Sequence, residues 1–190
     1  KTVGNPATHA NNFVSNIMMY DMGVTNMGVK KWALLASAMR DVTIFGKGKR
    51  HQKILADDKH PLNIAMRHGL LSSNMVNAEL RGEGFRDIMR IINQEAGVLR
   101  ANPDASKLVN LALNSTRKIW EKTGGLGTKA AGDLYSWEDN IFRYAIWKAE
   151  WTKLKDAGID SEKAAAIAAR KGRDWFVDYE NVPPALAWLR

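Results

Sequence analysis

Ser136-Trp137-Glu138-Asp139-Asn140-Ile141-Phe142-Arg143-Tyr144-Ala145-Ile146-Trp147-Lys148-Ala149-Glu150-Trp151 is the stretch on which the fold class turns. Ser136 with Asp139 three residues on is a near capping box, Asp standing where Glu or Gln is usual, and predicts a helix start. The helix is expected to run to about Ala157 and to stop at Gly158. Trp137, Ile141, Tyr144, Trp147 and Trp151 recur at helical steps, while Phe142, Ile146 and Leu154 give the same segment a second apolar side. A helix wetted along one flank would not carry so much aromatic surface, so this one belongs at the centre of a bundle or at a subunit contact. Trp137, Tyr144, Trp147 and Trp151 are accordingly the candidate protein-contact aromatics.

Working outward from there, helix signals recur in both directions. Asp160-Ser161 caps a helix expected to reach about Tyr179, and its Ala164, Ala165, Ala168 and Ala169 allow a neighbouring helix close approach. Pro183-Pro184 opens another. At the other end Asn5-Pro6 pairs a capping side chain with a proline at the first helical position, predicting a helix to Met22 that Gly23 ends. Trp32, Leu35, Ala36, Met39, Val42 and Thr43 form a core-facing stripe on a helix from Lys30 to about Phe45, closed by Gly46. Shorter helices are expected from Gln52 to Ala56, from Pro61 to Gly69 and from Ser73 to Leu80. Gly82 and Gly84 then precede a helix from Phe85 to Ala96, and Asn102-Pro103 launches one to about Lys122. Hairpin turns and alternating β-branched runs are missing from the sequence. The expectation is all-α, an irregular bundle of roughly seven to nine helices. Residues 1–190 read as a single helical segment, divisible into two packing units at Thr123-Gly124-Gly125-Leu126-Gly127 if it divides at all.

A chain of 190 residues buries an ordinary core without staples, and it contains no cysteine. Disulfides, thiol nucleophiles and thiolate metal sites are thereby excluded. The formal charge of +8 favours contact with phosphates or an anionic membrane surface, although an excess of this size more often serves solubility. No window approaches the roughly 18 uncharged apolar residues of a spanning helix. Phe13-Val14-Ser15-Asn16-Ile17-Met18-Met19-Tyr20 is short and interrupted, a packing helix or at most an interfacial one. The chain shows no signal peptide. It opens at Lys1 rather than Met and closes at Arg190 just after Pro183-Pro184, which leads us to expect a piece of a longer polypeptide.

Residues that could carry chemistry are few. His9, His51, His60 and His68 lie on separate elements with no ligand spacing between them, so exposed or capping roles are expected and no metal. Gly46-Lys47-Gly48-Lys49-Arg50 lacks the spacing and the Ser or Thr ending of a phosphate-binding loop. Lys47, Lys49, Arg50 and Lys53 nevertheless form a candidate phosphate or DNA-backbone patch, set against the plainer reading of a solvated loop. Ser115 and Lys118 have the spacing of a serine nucleophile and its lysine without the companion motifs, and chance accounts for them. Glu138 with Asp139, Asp57 with Asp58, and Asp178 with Glu180 are acidic pairs at helix starts or in loops, none assigned to catalysis. The seven tryptophans sit mostly at core spacing rather than in base-stacking positions, and the eight methionines suit an adaptable interior or contact surface. No cofactor is expected.

Thr2-Val3, Asn5-Pro6-Ala7-Thr8-His9, Asn12 and Ser15-Asn16 together resemble the Asn-Pro-Ala-Thr-His helix of the large polyvalent proteins of tailed phages and mobile elements. The closing stretch Asp178-Tyr179-Glu180-Asn181-Val182-Pro183-Pro184, with Leu186 and Trp188-Leu189-Arg190, is similar to a segment of those proteins that leads into a further helix. The two motifs bracket the chain, concern capping and packing, and bring no catalytic residue with them. In phages such proteins include internal virion proteins. The resemblance implies a protein packaged in the virion interior, ejected ahead of the genome and reassembled in the host envelope, at the periplasm or inner membrane, as part of a DNA conduit. Its partners would be other copies or other ejection proteins, with double-stranded DNA and transient envelope contact also implied. Helices built from local contacts refold quickly after threading, which suits that life. The leading expectation is thus a non-enzymatic structural segment. The alternative is a nucleic-acid-binding helical module using Lys47, Lys49, Arg50 and Lys53.

Overall fold

A computed structural model describes residues 6–44, 53–54, 56–71, 114 and 128–176. The described residues are all-α, with no strand among them and five helices: α1 Pro6–Gly23, α2 Lys30–Ile44, α3 Pro61–Arg67, α4 Thr128–Asp156 and α5 Ser161–Trp175. The helices expected over 73–80, 85–96 and after Pro183, and the linker at 123–127, lie outside the described residues, as does the helix expected over 102–122 except for Asn114, which is helical.

Local signals set most of these boundaries. Proline opens α1 and α3, and in α3 the His60 ring accepts the Leu62 amide at 3.2 Å, so this histidine is a cap. Gly69, at φ +66°, closes the turn after α3, and Gly158, at φ +82°, reverses the chain between α4 and α5. Asp160 caps α5 by accepting the amides of Glu162 and Lys163.

Two boundaries depart from expectation. The helix assigned a start at Ser136 begins at Thr128, so Ser136 and Asp139 fall inside it. A Ser or Thr caps only where the preceding backbone leaves the helix, and here the backbone is already helical. Helix α5 ends at Trp175 rather than near Tyr179. Phe176 turns to an extended conformation, which buries its ring against Phe142 with centroids 6.2 Å apart.

α4 is the axis of the described part, and α1, α2, α3 and α5 each pack on it. That arrangement explains its two apolar sides. Phe142 meets Phe13 edge-on at 5.1 Å and Tyr20 at 6.4 Å on the α1 side. Tyr144, Trp147 and Trp151 form a continuous stack on the side of α2 and α5, with spacings of 5.7 and 5.1 Å. Lys155 closes the stack, its ammonium 4.2 Å from the Trp151 ring centre.

The small-residue stripe of α5 lies against α4 as the sequence predicts, with Ala164, Ala165, Ala168, Ala169 and Gly172 all buried. At Gly172 the approach is closest, since an added Cβ would stand 2.6 Å from Leu70 Cδ1 and 3.2 Å from the Arg143 carbonyl oxygen. Leu70 is itself buried and the carbonyl is backbone, so neither yields cheaply. Gly172→Ala gains about 1 kcal/mol of helix propensity, but overpacking costs about 1–3 kcal/mol. A lowered urea midpoint is expected, and a midpoint raised above wild type would show that the two helices have room to part.

Candidate functional site

The long central helix carries two buried polar clusters, and these are where chemistry or specificity could reside. The first joins α4 to α1. Asn12 and Asn16 stand one turn apart on α1, and Asn12 Nδ2 donates to Glu138 Oε2 at 2.9 Å while Asn16 Nδ2 donates to Asp139 Oδ1 at 3.0 Å. Asn16 and Glu138 are each about 4 % exposed, so each of these part-buried bonds has one buried partner. Bonds of this kind are worth about 1.5–3 kcal/mol where charged groups take part. Arg143, one turn further along α4, donates to Asn140 Oδ1 at 3.4 Å and lowers the Asp139 carboxyl through its charge.

Burial is the larger influence on Asp139 and raises its carboxyl above the ordinary 3.8, against the opposing pull of Asn16, Asn12 and Arg143. Folding therefore favours the protonated form of this group relative to the unfolded chain. That contribution to stability is complete below the ordinary carboxyl value and is lost as pH rises through the higher folded-state value. Asp139→Asn keeps an oxygen for Asn16 without a charge. Its unfolding midpoint is expected to match wild type near about pH 3 and to exceed it near about pH 7. A midpoint below wild type near neutrality would mean that the ionised carboxylate is the favoured partner.

The second cluster joins α4 to α2. Lys148 Nζ lies 2.7 Å from both Asp41 Oδ2 and Ser37 Oγ, and the Tyr144 hydroxyl donates to the same Asp41 oxygen at 3.3 Å. Arg40 reaches the other Asp41 oxygen at 3.5 Å. Serine, lysine, tyrosine and aspartate together can relay protons, but this geometry is set for holding. Burial first, and then the Asp41 charge and hydrogen bond, keep the Tyr144 phenol well above its ordinary 10, so it remains a donor at neutral pH. Its residue is fully buried, with no face turned to a substrate. The cluster fastens α2 to α4.

Beside it runs an open cleft of about 570 Å³, lined by Met27, Lys30 and Leu34 on one wall and by Thr152, Lys153 and Asp156 on the other. Its charged lining residues are Lys30, Lys153 and Asp156. Among the described residues no group of histidine and acidic side chains is arranged to hold a metal ion, and no helix is long and apolar enough to cross a membrane.

The candidate residues fall as follows. Trp137, Tyr144, Trp147 and Trp151 are all buried within this chain, so α4 takes the bundle-centre placement of the two expected for it. The Trp147 and Trp151 indole N–H groups donate to the carbonyls of Ala165 and Ser161, each at 3.1 Å, tying the stack to α5. Lys53 is exposed, whereas Lys47, Lys49 and Arg50 lie outside the described residues. His68 pairs with Glu162 at 2.9 Å, and Arg67 joins the same carboxylate at 3.1 Å, linking the α3 turn to α5. Asp57 holds its own turn by accepting the Lys59 amide. Glu138 and Asp139, read from sequence as helix-start decoration, are instead the partners of Asn12 and Asn16. Asp41 was missed, although a charged residue between Met39 and Val42 on a core stripe signals a buried partner.

No protein-family model, curated protein or solved structure matches this chain significantly.

Proposed function

We propose that this chain is a structural segment of a phage internal virion protein, ejected into the host to help build a trans-envelope channel for genome delivery. The observation that carries the reading is the Asn-Pro-Ala-Thr-His helix with its following Asn12 and Asn16. In α1 both asparagines serve helix packing, the role the resemblance assigns to that motif. The absence of cysteine supports the same reading, because the covalent state of the chain is unchanged between reducing and oxidising compartments. On this view the segment makes no bond and breaks none. Its contribution is a helical body that packs against copies of itself or other ejection proteins, through surfaces other than the α4 aromatics that the chain already buries.

Mass spectrometry of purified virions tests the proposal. The parent protein is expected in the particle and, after adsorption, in the host envelope fraction. Its absence from virions overturns the reading. A DNA titration across a salt series separates the alternative, a nucleic-acid-binding module: neutralising Lys47, Lys49, Arg50 and Lys53 together flattens the salt slope only if those cations meet phosphates.

A further inference from the structure

The apolar residues of α1 do not by themselves choose how it sits on α4. Phe13, Ile17 and Tyr20 face inward, and their spacing is such that a slide of one turn would bring Ile17 to the place of Phe13 and Tyr20 to that of Ile17. The opposite face of the helix offers two apolar side chains beside the polar Asn11 and Ser15. Met18 and Met22, both about 60 % exposed, would be buried in place of Phe13 and Ile17 if α1 were rotated about its axis. Hydrophobic contact is non-directional, and methionine adapts readily to an irregular gap, so burial alone discriminates weakly among these seatings.

The polar contacts behave differently. Asn12 and Asn16 flank the inward stripe, and their amides meet Glu138 Oε2 and Asp139 Oδ1 at 2.9 and 3.0 Å. Hydrogen bonds need both distance and angle, so a rotation to the methionine face breaks both, while a slide of one turn carries Asn16 to the place of Asn12 and leaves Asp139 without an amide donor. The rotation takes the buried Asn16 amide from its acceptor, and in either seating at least one of the two carboxylates loses an amide donor, a cost the native seating avoids.

We infer that Asn12 and Asn16 form a register key, two side-chain amides that select one axial position and one rotation of α1 on α4 through Glu138 and Asp139. The inference is independent of the proposed function. Polar groups placed in an otherwise apolar contact can trade stability for a single arrangement, as a lone asparagine does at the core position of a coiled coil. Removing the key is then expected to leave α1 attached and the protein folded, with the seating no longer unique.

The cysteine-free chain suits a distance measurement. Cysteines are introduced at Ser15 on α1 and Ala166 on α5, both exposed, spin-labelled, and the distance distribution is recorded by pulsed electron resonance. The parent chain is expected to give one narrow distance. The double variant Asn12→Leu with Asn16→Leu is expected to keep its helical dichroism and cooperative unfolding, with a lowered thermal midpoint because the carboxylates lose their donors. Its distribution is expected to broaden or split, with a second population displaced by about 5 Å, one helical turn. Glu138→Gln with Asp139→Asn retains an acceptor oxygen at each position and is expected to keep the single distance. The inference is overturned if the leucine variant retains the one narrow distance. It is equally overturned if both the leucine variant and the milder Asn12→Ala, Asn16→Ala pair lose cooperative unfolding, because the amides would then hold the fold rather than choose its register.

Discussion

Lys148→Met is expected to lower the unfolding free energy by about 3–5 kcal/mol, because it leaves the Asp41 carboxylate buried without its closest counter-charge. The Asp41 side chain is about 8 % exposed and Lys148 about 12 %, so little water is available to take over. Tyr144 and Arg40 remain beside the carboxylate, but the first is a neutral donor and the second lies at 3.5 Å on a half-exposed side chain. Ser37 loses its partner in the same substitution. The double variant Asp41→Leu with Lys148→Met removes both charges and restores apolar contact. Most of the loss is expected to return, since a buried ion pair replaced by apolar residues of similar volume is often neutral or better. Urea denaturation of the four members of this cycle measures the coupling. A double variant no more stable than Lys148→Met would show that Asp41 answers to Tyr144 and Arg40 rather than to the lysine.

Trp147→Ala is the second large effect, with an expected cost of about 3–5 kcal/mol. Trp147 is fully buried, stands between Tyr144 and Trp151 in the stack, and donates its indole N–H to Ala165 O. Alanine opens a cavity at the junction of α4 and α5, whose close-packed surroundings relax only in part. Trp147→Phe retains ring contact and loses the hydrogen bond, so about 1–3 kcal/mol is expected, led by the unpaired carbonyl and the smaller ring. Thermal and urea unfolding followed by circular dichroism separate the two. A marginally stable domain holds only about 5–15 kcal/mol in total, so the alanine variant is expected to be partly unfolded at physiological temperature. An alanine variant within about 1 kcal/mol of wild type would place the organising contact elsewhere in the bundle.

Much of this arrangement is legible in the chain because the signals that announce it are local. Pro6 and Pro61 mark helix starts, Gly158 marks a reversal, and Asp160 bonds amides two and three residues on. Periodicity on α4 shows two apolar sides, and α5 shows its alanine stripe. Ser136 misleads for a related reason: a capping box is a statement about four residues, and whether the chain is already helical before it depends on residues further back. The end of α5 misleads differently. Phe176 leaves the helix to reach Phe142, a contact that no spacing within α5 announces.

The polar clusters were the least legible part. Asn12 and Asn16 belong to a motif that reads as capping and packing, and Glu138 with Asp139 reads as a helix start. Each description is complete on its own, yet the pairs meet across separations of 126 and 123 residues. Asp41 and Lys148 meet across 107. From the sequence each is an ordinary charge at a helical position.

By itself, then, the sequence determined the helical class, the caps, the apolar sides of α4 and the small-residue stripe of α5, because each depends on backbone hydrogen bonds and side-chain periodicity spanning a few residues. Tertiary structure alone decided that α4 is the axis, that its aromatics face inward, and that its carboxylates and lysine are matched by α1 and α2. Which charge is desolvated, and which distant amide or carboxylate compensates it, depends on where whole helices come to rest.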